Sequence, residues 1–244
     1  MISFRPYGRL GNFMFMAANC IVQAIKNDEP FSMPYQTNDR FWNPTYLENL
    51  IDPSYTQGRE DILINEPEFR YREIEFKPEW KGQYVIFNGY YQSWKYTEGY
   101  RDELLYLFGL PYQKKENYVS VHIRRGDYLH LLDKHPIVTN EWYEQQMGKF
   151  PNYKFKFFSD DIAYCKQYFG HREDCEFSTN NTEMEDLIEA SCCSHNICSA
   201  STFSYWIAYL NRNKDKQCIF PKLWFVEGYS LDTQDLLHPD FIKA

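Results

Sequence analysis

The sequence predicts an α/β protein of two domains, the second built on a parallel sheet with helices over its faces. Three observations predict it. Beyond residue 118, short apolar runs alternate with stretches of helical periodicity, the βαβα pattern of a parallel sheet. A polar connector, Gln113-Lys114-Lys115-Glu116-Asn117, follows Gly109-Leu110-Pro111 and marks a boundary. The 244 residues suffice for one sizeable domain or two small ones packed together. The chain therefore divides into an N-terminal domain, 1–112, and a C-terminal domain, 113–244.

Composition narrows the function classes. With 26 basic and 34 acidic residues the net charge is −8, which excludes a general nucleic-acid binder; any basic site must be local. No run of about 18 apolar residues exists, and Met1 to Pro6 is not a charged segment leading into an apolar run, so a soluble, cytoplasmic protein without a transmembrane segment is expected. The seven cysteines form an odd set without CxxC spacing, the usage of reduced, buried thiols. Adjacent Cys192 and Cys193 would point about 100° apart on a helix, which disfavours a redox pair or metal site. Aromatic residues make up 19%, which suits a sugar-binding surface or a tyrosine-rich core.

The first half opens with a short strand, Ile2-Ser3-Phe4. Gly8-Arg9-Leu10-Gly11-Asn12 follows, then Phe15, Ala18, Val22 and Ile25 at helical spacing. Gly8 and Gly11 permit close approach to a ligand, and Asn12 stands where an N-cap is expected. From Phe31 to Phe76 the pattern is irregular and punctuated by prolines, among them Pro44 and Pro53. A strand at 84–87, a loop at 88–93 and a helix at 100–108 complete this half.

In the second half, strands are expected at 119–123, 154–158, 175–177, 196–199 and 217–220, with helices at about 140–148, 161–169, 182–191 and 202–211. Ligands of such sheets bind outside the carboxyl ends of the strands, where Arg124, Ser159-Asp160-Asp161 and Ser199 to Thr202 all fall. Strand alternation sends His122 and Arg124 to one side, and Arg125 starts the turn that Gly126 permits. Two guanidiniums there suit a phosphate or carboxylate. Asp160 and Asp161 have three readings: partners of a base or ribose, helix capping with Ser159 or Asp160 as the cap, and an acidic metal pair disfavoured by the lack of a nearby third ligand. Thr182 to Glu185 is a structural capping box. Backbone amides and hydroxyls around Ser201 and Thr202 are suited to cradle a phosphate.

His122-Ile123-Arg124-Arg125-Gly126-Asp127 resembles the HxRRxD motif of the bacterial α-1,2-fucosyltransferase family. Other segments agree in order: Gly8 to Phe15 with its GxLGNQMFQ, Gly89 to Tyr96 with GYWQSEKY, and Phe158 to Asp161 with FSDD. Asp186 to Trp206 resembles DLxLMSxCxHxIxANSSFSWW, and Pro221 to Phe225 the late PxxWF. Phe13, Ala200 and Tyr205 replace the family's usual Gln, Asn and Trp.

The resemblance implies a GT-B-like fold of two Rossmann-like domains, with an acceptor side in the first half and GDP-sugar binding in the second. It also implies inverting, metal-independent transfer of L-fucose from GDP-fucose to a galactose hydroxyl of a glycan, with no cofactor. Carried over, Arg124 would bind the β-phosphate, with Arg125 and Asp127 shaping that loop. His122 and Asp160 or Asp161 would lie near the nucleoside, Ser201, Thr202, Phe203 and Ser204 near the diphosphate, and Asn12 would reach toward the donor. Asp127 is a candidate base by position, or an ion-pair partner of Arg124 or Arg125. Another GDP-sugar or linkage, or a glycan- or nucleotide-binding protein without turnover, remain as alternatives.

Overall fold

A computed structural model describes residues 1–34, 47, 50 and 59–244; Pro44 and Pro53, read as punctuation of the irregular stretch, lie outside the described residues. The chain divides into two compact units, Met1–Leu110 with Asp232–His238, and Pro111–Leu231 with Pro239–Ala244. The segment 232–238, which a division at residue 112 leaves with the second half, thus belongs to the first unit. There Asp235 ties down the 94–96 turn: its carbonyl accepts from Ser93 Oγ (2.8 Å) and Trp94 N (3.1 Å), and its carboxylate pairs with Lys95 (2.7 Å).

Among the described residues, unit 1 holds a three-stranded parallel sheet of β1 (Ile2–Phe4), β2 (Ile62–Asn65) and β3 (Val85–Asn88), in the order β1-β3-β2. Strand β2 falls in the stretch read as irregular; its four residues are too few to show a period against the surrounding charges. Helix α1 (Leu10–Asn27) follows β1, and Leu10, Gly11 and every residue from Phe13 to Ala24 are buried, as expected of a helix that is apolar nearly all round. Asn12 is not its N-cap. The helix begins at Leu10 behind Arg9, so Asn12 already lies within the first turn. Helix α2 (Arg101–Phe108) closes on Gly109, whose φ of 60° is the left-handed cap that glycine favours.

Unit 2 holds a six-stranded, wholly parallel sheet: β4 (Lys115–Ile123), β5 (Lys154–Ser159), β6 (Cys175–Phe177), β7 (Cys193–Ile197), β8 (Cys218–Phe220) and β9 (Ile242–Lys243). The spatial order is β6-β5-β4-β7-β8-β9, which, counted within the unit, is the 3-2-1-4-5-6 order of a doubly wound sheet. The connections supply α3 (Asn140–Met147), α4 (Ile162–Phe169), α5 (Glu183–Ser191) and α6 (Thr202–Leu210). Val119, Val121 and Ile123 face Tyr143 and Met147 of α3 and Cys165 and Phe169 of α4 in the main core. All seven cysteines are free thiols, six of them buried.

Two strand expectations shift. Lys115 to Tyr118, read partly as connector, begin β4, and β7 runs over 193–197 rather than 196–199. Cys193-Ser194-His195-Asn196 looks too polar for a central strand, yet all four are buried. Hydrogen bonding offsets the cost. Asn196 donates to Ser120 Oγ (2.7 Å) and accepts from Asn211 (2.8 Å), Ser194 donates to the Lys115 carbonyl (3.2 Å), and His195 Nε2 meets Tyr153 (3.1 Å).

A second polar tie sits farther along the same face. His122 Nδ1 lies 2.6 Å from Ser204 Oγ and 3.1 Å from Ser199 Oγ, joining the end of β4 to the loop after β7 and the first turn of α6. Burial, then the neighbouring Arg124 charge, depress this imidazole from 6.5 to about 3. An unfolded chain takes up that proton below about 6.5 and the folded one only near 3, so His122 favours folding fully above that range, and the contribution fades as pH falls between the two values. His122→Gln is therefore expected to lose less Tm than wild type on acidification across this window, with His135 and His195 common to both proteins. Equal slopes in thermal melts would contradict the neutral, buried imidazole. Among the described residues, no helix is long and apolar enough to cross a membrane.

Candidate functional site

In a doubly wound sheet the crevice opens where the strand order reverses, here between the carboxyl ends of β4 and β7. The arginine loop leaves β4 at that point. Pairing of Ile123 with Ser159 places Arg124 beside Asp160, the next residue of the neighbouring strand's exit. The Arg124 guanidinium is held from two sides, by Asp160 Oδ2 at 2.9 Å and Asp127 Oδ1 at 2.5 Å, with its side chain only 12% exposed. Among the described residues, its buried Nε has no hydrogen-bond partner. A buried donor left unpaired is costly, so an acceptor arriving there gains more than one arriving at a solvated arginine.

Asp160 does more than pair with Arg124. Its Oδ1 accepts from the Arg125 main-chain N–H at 2.9 Å, and a Cβ at Gly126 would lie 2.3 Å from its Oδ2. The glycine of the motif is therefore needed for room. Arg125 turns the other way: it lies 3.3 Å from Asp161 and 3.5 Å over the Tyr164 ring. Asp161, rather than Ser159 or Asp160, caps α4, accepting from Tyr164 N at 3.1 Å. Ser159 instead donates to the Ile123 carbonyl (2.7 Å) and accepts from Asp161 N (3.0 Å), locking the two strand exits together. The two aspartates thus face different cations, and among the described residues no group of three His, Cys, Asp or Glu side chains is arranged to hold a metal ion.

The hydroxylated loop divides its labour. Ser199 and Ser204 face inward to His122, Ser201 caps α6 by accepting from Phe203 N (3.3 Å), and Thr202 is its first residue. Phe203 packs 4.9 Å from the His122 ring. Tyr128, which no motif singled out, bridges the two loops: its hydroxyl donates to the Ala200 carbonyl (3.2 Å), and the Arg124 guanidinium lies 5.1 Å over its ring. The same ring stacks on His135 with centroids 4.0 Å apart, and the His135 centroid lies 5.3 Å from that of Phe225. The late Pro221 to Phe225 segment thereby buttresses the arginine loop. Only an aromatic one residue beyond Asp127 hinted at Tyr128, and nothing in the spacing set it apart from other tyrosines.

In unit 1, Asn12 accepts from Gln92 Nε2 at 2.9 Å, bringing the glycine loop and the Gly89 to Tyr96 segment together. A Cβ at Gly8, where φ is +79°, would meet the Asn12 amide at 2.5 Å.

These arrangements can be set beside known proteins. The family described as Glycosyl transferase family 11 matches residues 107–227, the stretch holding the arginine loop and the hydroxylated loop. An alpha-1,2-colitosyltransferase of Escherichia coli is 28% identical, with 91% of each chain covered. Galactoside alpha-(1,2)-fucosyltransferase 2 of Mus musculus is 31% identical over 86% of this chain and 68% of its own. The fucosyltransferase NodZ from Bradyrhizobium shares the fold with a TM-score of 0.52 at 12% identity, covering 85% of this chain and 92% of that one. A second structure, of the NodZ alpha-1,6-fucosyltransferase co-crystallised with GDP, gives the same TM-score of 0.52. The GT-B-like α/β class expected from the sequence is thus the observed one. Identity above 30% across most of both chains, and a family match centred on the switch-point loops, make this chain a member of glycosyl transferase family 11.

Proposed function

We propose that this glycosyltransferase moves L-fucose from GDP-fucose to a galactose hydroxyl of a glycan, with inversion and through an α-1,2 linkage. The observation that carries the proposal is Arg124: a guanidinium fixed at the sheet's switch point, with a buried Nε unpartnered among the described residues, and joined through Tyr128 to the loop that leads into α6. A nucleoside diphosphate presents the acceptor oxygens that such a donor lacks. The colitosyltransferase and the murine fucosyltransferase, similar in sequence, are both named for an α-1,2 linkage, which favours it over the α-1,6 linkage of NodZ, similar in fold at 12% identity.

In the proposed reaction the acceptor hydroxyl attacks the anomeric carbon from the face opposite the diphosphate. The bond from that carbon to the diphosphate oxygen breaks, GDP leaves with the electron pair, and the hydroxyl proton passes to water. Negative charge grows on the β-phosphate, so a fixed cation there stabilises the transition state more than the bound donor. Asp160 holds the guanidinium from the strand side; Asp127, 44% exposed, covers the edge that a phosphate would take over. Its contact with Arg124 supports a positioning role for Asp127 over that of the base. Asp160 and Asp161 are each engaged by arginine, which supports a transfer without metal, the arginines and the α6 start supplying the positive field.

A second reading concerns the donor sugar: the Escherichia coli relative, matched over 91% of this chain, supports a colitosyl donor. Purified protein incubated with GDP-fucose or GDP-colitose, a panel of galactosides and chelator throughout, followed by linkage analysis, separates the readings. The expected product is an α-1,2-fucosylated galactoside formed at full rate in chelator. A preference for the other donor, a different linkage, an absolute need for Mg²⁺ or Mn²⁺, or GDP binding without any turnover would each overturn the corresponding part.

Arg124→Ala is expected to lower transfer about a thousandfold with the fold intact. A charge pair at 4 Å is worth roughly 4 kcal/mol at an effective dielectric near 20, and each 1.36 kcal/mol is about tenfold in rate. Turnover within a few fold of wild type would remove the phosphate role from this residue.

A further inference from the structure

The carboxyl edge of the unit 1 sheet sets Glu66 and Tyr7, which lie outside the motifs, against Gly89 to Tyr91. Glu66 directly follows β2, Tyr7 lies three residues beyond β1, and Gly89-Tyr90-Tyr91 follow β3. Both carboxylate oxygens of Glu66 are fixed by main-chain donors, Oε2 by Tyr90 N (2.7 Å) and Oε1 by Tyr91 N (3.0 Å). Gly89 is required for this approach, since a Cβ there would lie 2.2 Å from Glu66 Cβ. Tyr91 adopts φ 51°, a left-handed conformation that a bulky residue rarely takes, and its hydroxyl donates to the Ile64 carbonyl at 3.1 Å. Backbone strain of this kind turns two successive N–H groups onto one carboxylate and carries Gln92 to Asn12.

What the loop holds in place is a partly exposed carboxylate beside aromatic rings. Tyr7 meets Tyr90 edge-on, with centroids 4.6 Å apart, and among the described residues no hydrogen bond engages the Tyr7 hydroxyl. A carboxylate has about four lone-pair sites, of which the two N–H groups occupy two. Carboxylates with free lone pairs, an amide and tyrosine rings are the groups that recognise sugars, through hydroxyl hydrogen bonds and contact with the ring's C–H faces. Burial raises the Glu66 carboxyl above its ordinary range despite the two N–H groups, consistent with a group sheltered from bulk water.

We propose that Glu66, Tyr7 and Tyr90 form a carbohydrate-binding subsite on unit 1, in which the open lone pairs of Glu66 accept hydrogen bonds from sugar hydroxyls. Resting on the transferase reading, it is the acceptor galactoside that occupies it. Glu66 also clamps the 89–91 loop, whereas Tyr7 has no such duty, so Tyr7→Phe isolates binding and Glu66→Gln tests the carboxylate.

Both variants and wild type are compared for the KM of a galactoside acceptor, direct calorimetric binding of lactose, GDP affinity and Tm. The subsite predicts that Tyr7→Phe and Glu66→Gln each weaken lactose binding and raise acceptor KM about tenfold or more, at wild-type GDP affinity. Unchanged lactose binding in both variants, or a loss confined to Glu66→Gln together with a fall in Tm, would overturn it and leave Glu66 as a loop clamp. Lactose binding that responds to Tyr7→Phe in a wild-type protein without turnover would keep the subsite and reject the transferase reading.

Discussion

The pairing of Arg124 with two carboxylates at the end of β4 is the constraint on which the second unit's site depends. A guanidinium with a long, flexible stem gains little as a ligand unless its position is settled beforehand. Here the sheet register sets Asp160 beside it, Gly126 makes room for that carboxylate, and Asp127 returns from the following turn. Arg125 pins the same loop to α4 through Asp161 and the Tyr164 ring. The cost of holding a buried arginine among aspartates is offset by their mutual attraction, and the unpartnered Nε leaves one interaction for a ligand to complete.

Polar contacts, rather than apolar ones, organise the other face of β4. His122, Ser199 and Ser204 tie the arginine loop's strand to the loop after β7, and Ser120, Asn196 and Asn211 form a second tie beside it. Apolar packing on the opposite face supplies the bulk of the core. Hydrogen-bonded side chains have few satisfactory arrangements, so this face fixes register and the relative height of the two loops that flank the crevice. Neutrality of the His122 ring matters there, because a second positive charge beside Arg124 would have to be buried with it.

Much of the second unit was legible in the sequence because periodicity, capping and motif agreed locally. The Thr182–Glu185 capping box is present as read, and strand β6 and the core of helix α4 fall where the pattern put them. Strand β7 was misplaced because its polar residues are paid for by tertiary hydrogen bonds that no local pattern displays. Asn12 was misread as a cap since nothing local distinguishes it from a residue one turn inside the helix. Among the candidate site residues, Arg124, Arg125, Asp127, Asp160 and Asp161 meet in one cluster, while Tyr128 and Glu66 emerge only when chain segments far apart in sequence are brought together.

The central claim is that Arg124 awaits the terminal phosphate of a nucleoside diphosphate. Calorimetric affinities of the wild-type protein for GDP, GMP and guanosine test it most directly, since these ligands differ only in the phosphates offered to the switch point. The account predicts that GDP binds at least about tenfold more tightly than GMP and that this gap disappears in Arg124→Ala. Equal affinity of the wild type for GDP and GMP would contradict it.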